Sequence, residues 1–165
     1  MTPAPFSKDI REFLMRLARR NVRYVIVGGE AVIYYGHARL TGDIDIYYDN
    51  SPENSDRLYA ALLDFWQGSI PGIQSAKDLQ GDNLIIQFGI PPHRIDLLSV
   101  ISAVDFPRAW ESRVTETIKV RKNEFPVHYI GLAQLIRNKK AVRRPRDMED
   151  LEFLVRVNSQ PKQEG

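Results

Sequence analysis

The chain contains the stretch Val27-Gly28-Gly29, a spacer of thirteen residues, and then Asp43-Ile44-Asp45-Ile46. Successive side chains of a β-strand point to opposite faces, so Asp43 and Asp45 are predicted to share one face while the isoleucines face the core. Two carboxylates on one face repel each other unless a cation lies between them. A hard divalent cation such as Mg²⁺ takes oxygen ligands of this kind, often together with substrate phosphates. The acid pair therefore predicts a metal site, although two merely solvated Asp residues on a surface strand are the alternative.

Gly28 and Gly29 lie between an apolar run that ends at Val27 and a helical pattern that begins at Glu30. Glycines at such a junction let phosphate oxygens approach the backbone N–H groups at the start of a helix. A phosphate-binding turn and a pair of metal-binding carboxylates in one short segment are suited to a nucleoside triphosphate. Gly28 and Gly29 are therefore predicted to contact the nucleotide.

This segment resembles the signature of the polymerase-beta-like nucleotidyltransferase superfamily, in which Gly-Gly or Gly-Ser precedes two acids that alternate with hydrophobic residues. More narrowly, it is similar to the nucleotidyltransferase toxins of bacterial type IV toxin–antitoxin and abortive-infection systems. The residues that carry this narrower resemblance are Gly28-Gly29-Glu30-Ala31, Gly36, Arg39, Thr41 and Asp43-Ile44-Asp45. Gly29 departs from the wider pattern, since a Ser often stands there, and no hydroxyl is available to hold a phosphate.

The resemblance implies a nucleotide-binding role for Arg39 and Thr41, which lie in the loop before the two acids. An arginine at this place is suited to a bidentate contact with a phosphate. The alternative is a salt bridge from Arg39 that holds Asp43 or Asp45 in position.

A third acid is predicted on a neighbouring strand. Residues 84–88 and 94–98 read as two strands, and Asp96 points away from the apolar face of the second. The superfamily takes a third catalytic carboxylate from such a strand, and Asp96 is the acid in that setting. The alternative is a structural Asp paired with Arg94 or His93.

The region from Arg137 to Arg146 is strongly basic, with six cations among ten residues and no acid. Such a cluster indicates binding of a triphosphate, a nucleic acid or both, with a solvated helix face as the alternative. The resemblance to the toxin-like enzymes continues here, through Lys139, Arg144, Asp147 and Asp150-Leu151. It implies that Lys139 contacts the triphosphate and that Arg144 and Asp147 belong to the nucleotide site. Asp147 could instead cap the last helix near its positive end.

Hydrophobic periodicity and turn residues predict an α/β fold of the α+β type. By resemblance this is the nucleotidyltransferase fold, a short mixed sheet flanked by helices with a C-terminal helical pair. Predicted strands occupy residues 23–27, 44–48, 84–88, 94–98, 114–120 and 125–129, and predicted helices occupy 8–20, 30–35, a stretch from Pro52, 104–110, a stretch from Leu132, and 145–157. Ser7 and Ser51 are placed to cap the first and third helices.

The length of 165 residues predicts one domain over residues 1–157, by resemblance a nucleotidyltransferase domain, followed by a polar, disordered tail at 158–165. Cysteine is absent from the sequence, which excludes disulfides and thiolate zinc sites. Neither a signal-peptide pattern nor an apolar run of about 20 residues is found, so a cytoplasmic protein without membrane contact is expected.

These observations predict an enzyme that moves a nucleoside monophosphate from an NTP to a hydroxyl acceptor. The resemblance implies two Mg²⁺ ions held by Asp43, Asp45 and Asp96, with an RNA acceptor, the 3′ end of a tRNA, as the first expectation. A toxin-like role would bring a cognate antitoxin as partner. The alternatives are AMPylation-type modification of a partner protein and a catalytically silent nucleotide- or RNA-binding module.

Overall fold

A computed structural model describes residues 6–160 of the chain. This part contains six helices and six strands, joined by short loops and one 3₁₀ turn at Ala76–Leu79. In chain order they are α1 (Lys8–Arg19), β1 (Tyr24–Val27), α2 (Gly28–Tyr34), β2 (Asp43–Tyr48), α3 (Pro52–Phe65), β3 (Ile85–Phe88), β4 (Arg94–Leu98), α4 (Phe106–Glu111), β5 (Val114–Val120), β6 (Asn123–Tyr129), α5 (Leu132–Val142) and α6 (Pro145–Ser159).

The six strands form one mixed sheet in the order β3-β4-β2-β1-β6-β5. The central strand β1 pairs antiparallel with β2 and parallel with β6. Strand β2 pairs parallel with β4, while β3 and β5 close the two edges in antiparallel ladders. The predicted α+β fold, with a short mixed sheet and a C-terminal helical pair, is thus confirmed.

The core forms where apolar helix faces cover the central strands. All four residues of β1 are buried, which is the pattern of a strand covered on both faces. Phe13, Leu14 and Leu17 of α1 are fully buried, as are Leu58 and Leu62 of α3. This packing holds β1 and β2 rigidly, so residues at their ends are presented from a fixed frame.

Two helix caps occur where the sequence predicted them. The side chain of Ser7 accepts a hydrogen bond from the backbone N–H of Ile10 at 3.3 Å, and Ser51 accepts one from that of Asn54 at 3.3 Å. Each satisfies one of the free N–H groups at a helix start.

Several element boundaries differ from the sequence prediction. Helix α2 begins at Gly28 and not at residue 30, so β1 passes into the helix without a loop. Strand β6 begins at Asn123, because Val120 pairs with Asn123 and leaves a two-residue turn. The last helix extends to Ser159, two residues past its predicted end, and the remainder of the predicted tail after residue 160 lies outside the described residues.

Helices α5 and α6 form the C-terminal pair and meet at a sharp turn. Arg143 takes a left-handed conformation with φ of 58° at the end of α5, and Pro145 occupies the first turn of α6. Among the helices of residues 6–160, none combines the length and the apolar character needed to cross a bilayer.

Candidate active site

Three carboxylates meet on one face of the sheet. In the parallel ladder between β2 and β4, Asp45 stands opposite Asp96 and Asp43 stands opposite Arg94. Because side chains alternate along each strand, Asp43, Asp45 and Asp96 all project to the same side. One oxygen from each of the three carboxylates lies within 4.8 Å of the other two. The register between two strands therefore brings the three predicted acids together.

Arg94 is the cation inside this cluster. Its Nη2 donates to Asp43 Oδ2 at 2.6 Å, and its Nε donates to Asp96 Oδ1 at 3.0 Å. The pairing of Asp96 with Arg94 was one of two alternatives in the sequence, and the structure shows that Asp96 makes this ion pair while also lying beside Asp45. The same alternation places Arg94 and Asp96 on one face of β4, since they are two residues apart.

Asp45 bears most of the electrostatic cost of the cluster. Burial, followed by the negative charges of Asp43 and Asp96, raises the pKa of Asp45 to about 7. The pKa of Asp96 is also raised, by burial above all, although the hydrogen bond from Arg94 opposes this shift. Within residues 6–160, Asp43 and Asp96 each form an ion pair with Arg94, whereas Asp45 forms none.

This arrangement fits a divalent cation. Carboxylate oxygens are the ligands that Mg²⁺ prefers, and three of them converge where a single arginine leaves negative charge uncompensated. A second positive charge at this place would favour the ionised form of Asp45.

Gly28 and Gly29 make room beside the acids. Gly28 has φ of 65°, a conformation that disfavours residues with a Cβ, and a Cβ there would overlap the carboxylate of Asp45. A Cβ on Gly29 would lie 2.7 Å from Thr41 Oγ1 and 3.0 Å from Arg39 Nη2. Both glycines are therefore required for the backbone of the β1–α2 junction to approach the site residues.

Thr41 positions the first acid. Its Oγ1 lies 3.2 Å from both the carboxylate Oδ1 and the backbone oxygen of Asp43, within hydrogen-bonding reach of each. The structure thus places Thr41 against the acid cluster and also over Gly29.

Arg39 and Lys139 join a second, buried ion cluster centred on Asp150. The Nη2 of Arg39 donates to Asp150 Oδ2 at 3.1 Å, and its Nε lies 2.9 Å from Oδ1. The Nζ of Lys139 contacts Asp150 at 3.1 Å and donates to Asp147 at 2.8 Å. Lys139, Asp147 and Asp150 are each at most 3% exposed. The alternative in which Arg39 holds Asp43 or Asp45 was wrong, because its partner among the described residues is Asp150.

Asp147 caps the last helix, as one of its two interpretations predicted. Its Oδ2 accepts a hydrogen bond from the backbone N–H of Arg144 at 3.1 Å and another from Nε of Arg144 at 2.7 Å. Burial raises the pKa of Asp147, but hydrogen bonds from Arg144 and Lys139 outweigh it and lower the value to about 2. A further role of Asp147 in nucleotide binding stays a prediction.

Arg144 stands at the start of α6. Its side chain is 70% exposed although it pairs with Asp147. The pKa of Arg144 is raised by its hydrogen bond to Asp147 first, and the negative charge of Asp45 adds to the shift. Arg144 is therefore an exposed cation whose charge is stabilised chiefly by Asp147.

The predicted residues thus fall into two adjoining groups. The acids lie with Gly28, Gly29 and Thr41, while Lys139, Arg144 and Asp147 lie around Asp150, and Arg39 bridges the two groups.

Sequence reasoning gave no role to Asp150, which binds both Arg39 and Lys139. Its spacing of three residues from Asp147 places both acids on one face of α6, and that spacing is the signal by which the cluster could have been found.

Residues 7–158 match the model of a family described as nucleotidyltransferases of unknown function, DUF6036. A comparison with curated proteins found no match. The family match extends over both motif clusters and nearly all the described elements. The chain therefore belongs to the DUF6036 family of nucleotidyltransferases of unknown function.

Proposed function

We propose that the protein is a Mg²⁺-dependent enzyme that transfers a nucleoside monophosphate from an NTP to the 3′ hydroxyl of an RNA, a tRNA in the first instance. We further propose a toxin-like role, in which a cognate antitoxin restrains the activity. Membership of a nucleotidyltransferase family supports the reaction class. The observation that carries the proposal is the convergence of Asp43, Asp45 and Asp96 beside a glycine turn.

Asp43, Asp45 and Asp96 are the residues that would hold the metal. Two Mg²⁺ ions in such a site supply charge stabilisation for the attacking and leaving oxygens of an in-line displacement. Arg94 already pairs with Asp43 and Asp96, so it would keep these two carboxylates oriented while Asp45 completes the ligand set.

The surrounding residues suit the binding of a triphosphate. Gly28 and Gly29 let the backbone of the β1–α2 junction approach Asp45, Thr41 and Arg39, so a triphosphate bound at the acids would lie beside this turn. Arg144 is the predicted cation best exposed to a ligand. Lys139, buried between Asp147 and Asp150, would act by holding the carboxylates that position Arg144 and Arg39.

The proposed chemistry uses one carboxylate for the proton. The acceptor hydroxyl oxygen attacks the α-phosphorus, the bond from the α-phosphorus to the bridging oxygen breaks, and pyrophosphate leaves. Asp96 accepts the proton of the hydroxyl as it attacks.

The basic segment supports an RNA acceptor. Five of its six cations are exposed: Arg144, which pairs with Asp147, and the four others, Arg137, Lys140, Arg143 and Arg146. None of these four makes an ion pair within residues 6–160. Arg143 and Arg146 lie on either side of Arg144 at the turn between α5 and α6, while Arg137 and Lys140 lie on α5. A polyanion bound to this segment would meet several uncompensated positive charges.

The test uses α-labelled ATP, CTP, GTP and UTP, each with Mg²⁺, the protein and a total cell extract. We expect label that is removed by RNase and not by protease, with none transferred from γ-labelled NTP. Asp45→Ala is expected to abolish labelling, whereas Asp56→Asn, which removes one exposed carboxylate on α3, is the matched control and should label normally.

Other outcomes would redirect the proposal. Protease-sensitive label would identify a protein acceptor and replace RNA in the scheme. Absence of label with every NTP would favour the catalytically silent binding module. In that case the ion pairs that Arg94 makes with Asp43 and Asp96 would serve only the structure. An active Asp45→Ala variant would refute the assignment of the site.

A further inference from the structure

A second charged cavity lies at the opposite end of strand β1 from the acid cluster. It has a volume of about 310 Å³, and three arginines, a tryptophan and a histidine give it its polar character. We call it the arginine pocket: Arg23, Arg57, Trp110, Arg113 and His128. Arg23 precedes β1 whereas Gly28 follows it, so the arginine pocket and the acid cluster are separated by roughly 16 Å along the strand.

The guanidinium groups in this pocket converge on one aromatic ring. The central carbon of the Arg113 guanidinium lies 3.7 Å from the Trp110 ring centroid, and that of Arg23 lies 5.8 Å from it. Arg57 lines the same cavity from α3. Cation–π contacts hold the groups in place but leave their positive charge uncompensated.

Carboxylates do not neutralise these arginines in the described part of the chain. Within residues 6–160, the ion pairs involve neither Arg23, Arg57 nor Arg113. The Nη1 of Arg113 donates to the backbone oxygen of Trp110 at 2.7 Å, and its Nε is buried without a hydrogen-bond partner among those residues. The cavity lining itself contains no acid.

The pKa of His128 is also affected by the positive charge in this pocket. Burial and then the charge of Arg113 lower the pKa of His128 to about 4, so its ring is neutral at pH 7. Its Nδ1 lies 2.8 Å from Thr115 Oγ1, which holds the ring in place. Three like charges that line one cavity repel each other, and an anion placed between them would relieve that repulsion.

We propose that the arginine pocket binds a phosphate group, supplied either by the backbone of an RNA or by a free nucleotide or inorganic phosphate. Arginine is suited to this ligand because its planar guanidinium matches the oxygens of a phosphate in a bidentate geometry. The volume accommodates one phosphate with its remaining hydration. The site is distinct from the acid cluster, so its occupancy does not depend on the proposed transfer reaction.

Trp110 provides a direct reporter for the test. The chain has two tryptophans, so Trp66→Phe leaves Trp110 as the only one. This variant is titrated in EDTA with inorganic phosphate, with ATP and with a short single-stranded RNA while Trp110 fluorescence is recorded. We expect a saturating change, and we expect Arg57→Gln and Arg23→Gln each to raise the Kd by about tenfold through loss of a charge-assisted hydrogen bond.

The matched control is Arg156→Gln, which removes the same charge from a side chain that is 71% exposed on α6. It should leave the Kd unchanged, and Arg57→Lys should recover part of the affinity lost in Arg57→Gln. Thermal unfolding checks that each variant is folded. If Arg57→Gln fails to fold, Arg23→Gln serves instead, because Arg23 is exposed.

The titrants distinguish the two sources of phosphate. Tighter binding of RNA, with a steep salt dependence, would assign the site to a nucleic-acid backbone. Equal binding of phosphate and ATP would assign it to a small anion. The proposal is overturned if Trp110 fluorescence changes with none of the three titrants. It is also overturned if Arg57→Gln binds them as tightly as Arg156→Gln does. If Arg57→Gln does not fold, Arg23→Gln takes its place in this comparison.

Discussion

Replacing Asp45 with Asn is expected to stabilise the metal-free protein above neutral pH while abolishing nucleotidyl transfer. The carboxyl of Asp45 is half-buried beside Asp43 and Asp96, and its pKa is raised from 3.8 to about 7. An asparagine has nearly the same shape and no charge to desolvate. The substitution therefore removes a repulsion that the fold tolerates at the candidate site.

The size of the effect follows from the pKa difference between the folded and unfolded chains. Between pH 3.8 and about 7 the folded protein retains a proton on Asp45 that the unfolded chain has released. The free energy of unfolding therefore falls as the pH rises through this interval, and the full cost is present above pH 7. At about 1.4 kcal/mol per pKa unit, Asp45→Asn should gain up to about 4 kcal/mol at pH 8.

Urea unfolding in EDTA at pH 4.5 and pH 8 measures this gain. The wild type should lose stability between the two pH values and recover it at pH 8 when Mg²⁺ is added, because a bound cation compensates the charge of Asp45. Asp45→Asn should show a smaller loss and a smaller response to Mg²⁺. Asp56→Asn, an exposed position, should follow the wild type within about 0.5 kcal/mol at both pH values.

The reasoning fails if Asp45→Asn is no more stable than the wild type at pH 8. It also fails if the two proteins lose the same stability between pH 4.5 and pH 8, since another group would then be responsible for the pH dependence.

Three further perturbations test other parts of the site. Gly28→Ala should abolish transfer while the far-ultraviolet circular dichroism is retained, because the new Cβ displaces the carboxylate of Asp45; normal activity would show that this close approach is not needed. Lys139→Met should cost about 3–5 kcal/mol in urea unfolding, since it removes the buried cation between Asp147 and Asp150 and leaves them only Arg144 and Arg39 as partners. The loss of stability as the pH falls from 3.8 toward 2, which reflects the low pKa of Asp147, should then shrink. Arg94→Gln should lower the melting temperature in EDTA and increase the rise produced by Mg²⁺, because it removes the cation of the acid cluster; an unchanged response to Mg²⁺ would contradict this role.

Local patterns predicted a large part of the fold and the acids of the site. The alternation in Asp43-Ile44-Asp45-Ile46 requires only that the segment be a strand, because the period of two then decides which side chains share a face. The same rule placed Asp96 on the polar face of its strand. The helix caps at Ser7 and Ser51 were equally accessible, because a cap depends on residues within one turn.

Residues whose role depends on distant partners were harder to assign. By resemblance Lys139 was predicted to contact the triphosphate, and this role stays a prediction. In the fold, α6 packs back on α5 and places Asp147 and Asp150 around its ammonium group, which local spacing did not indicate. Arg39 was considered as a partner of the acid pair and instead binds Asp150, which is 111 positions away in the chain. Neither partner follows from local spacing around the basic residue, because an ion pair is decided by which surfaces pack together.

The sequence by itself therefore determined the order of most elements, the class of fold and the three acids that share a polar face. The tertiary structure alone decided the register that places Asp45 opposite Asp96, the insertion of Arg94 between carboxylates and the assembly of the arginine pocket from four separate elements. The physical reason is the range of the interactions. Side-chain periodicity and capping act over a few residues, whereas strand register and charge pairing depend on the packing of the whole chain.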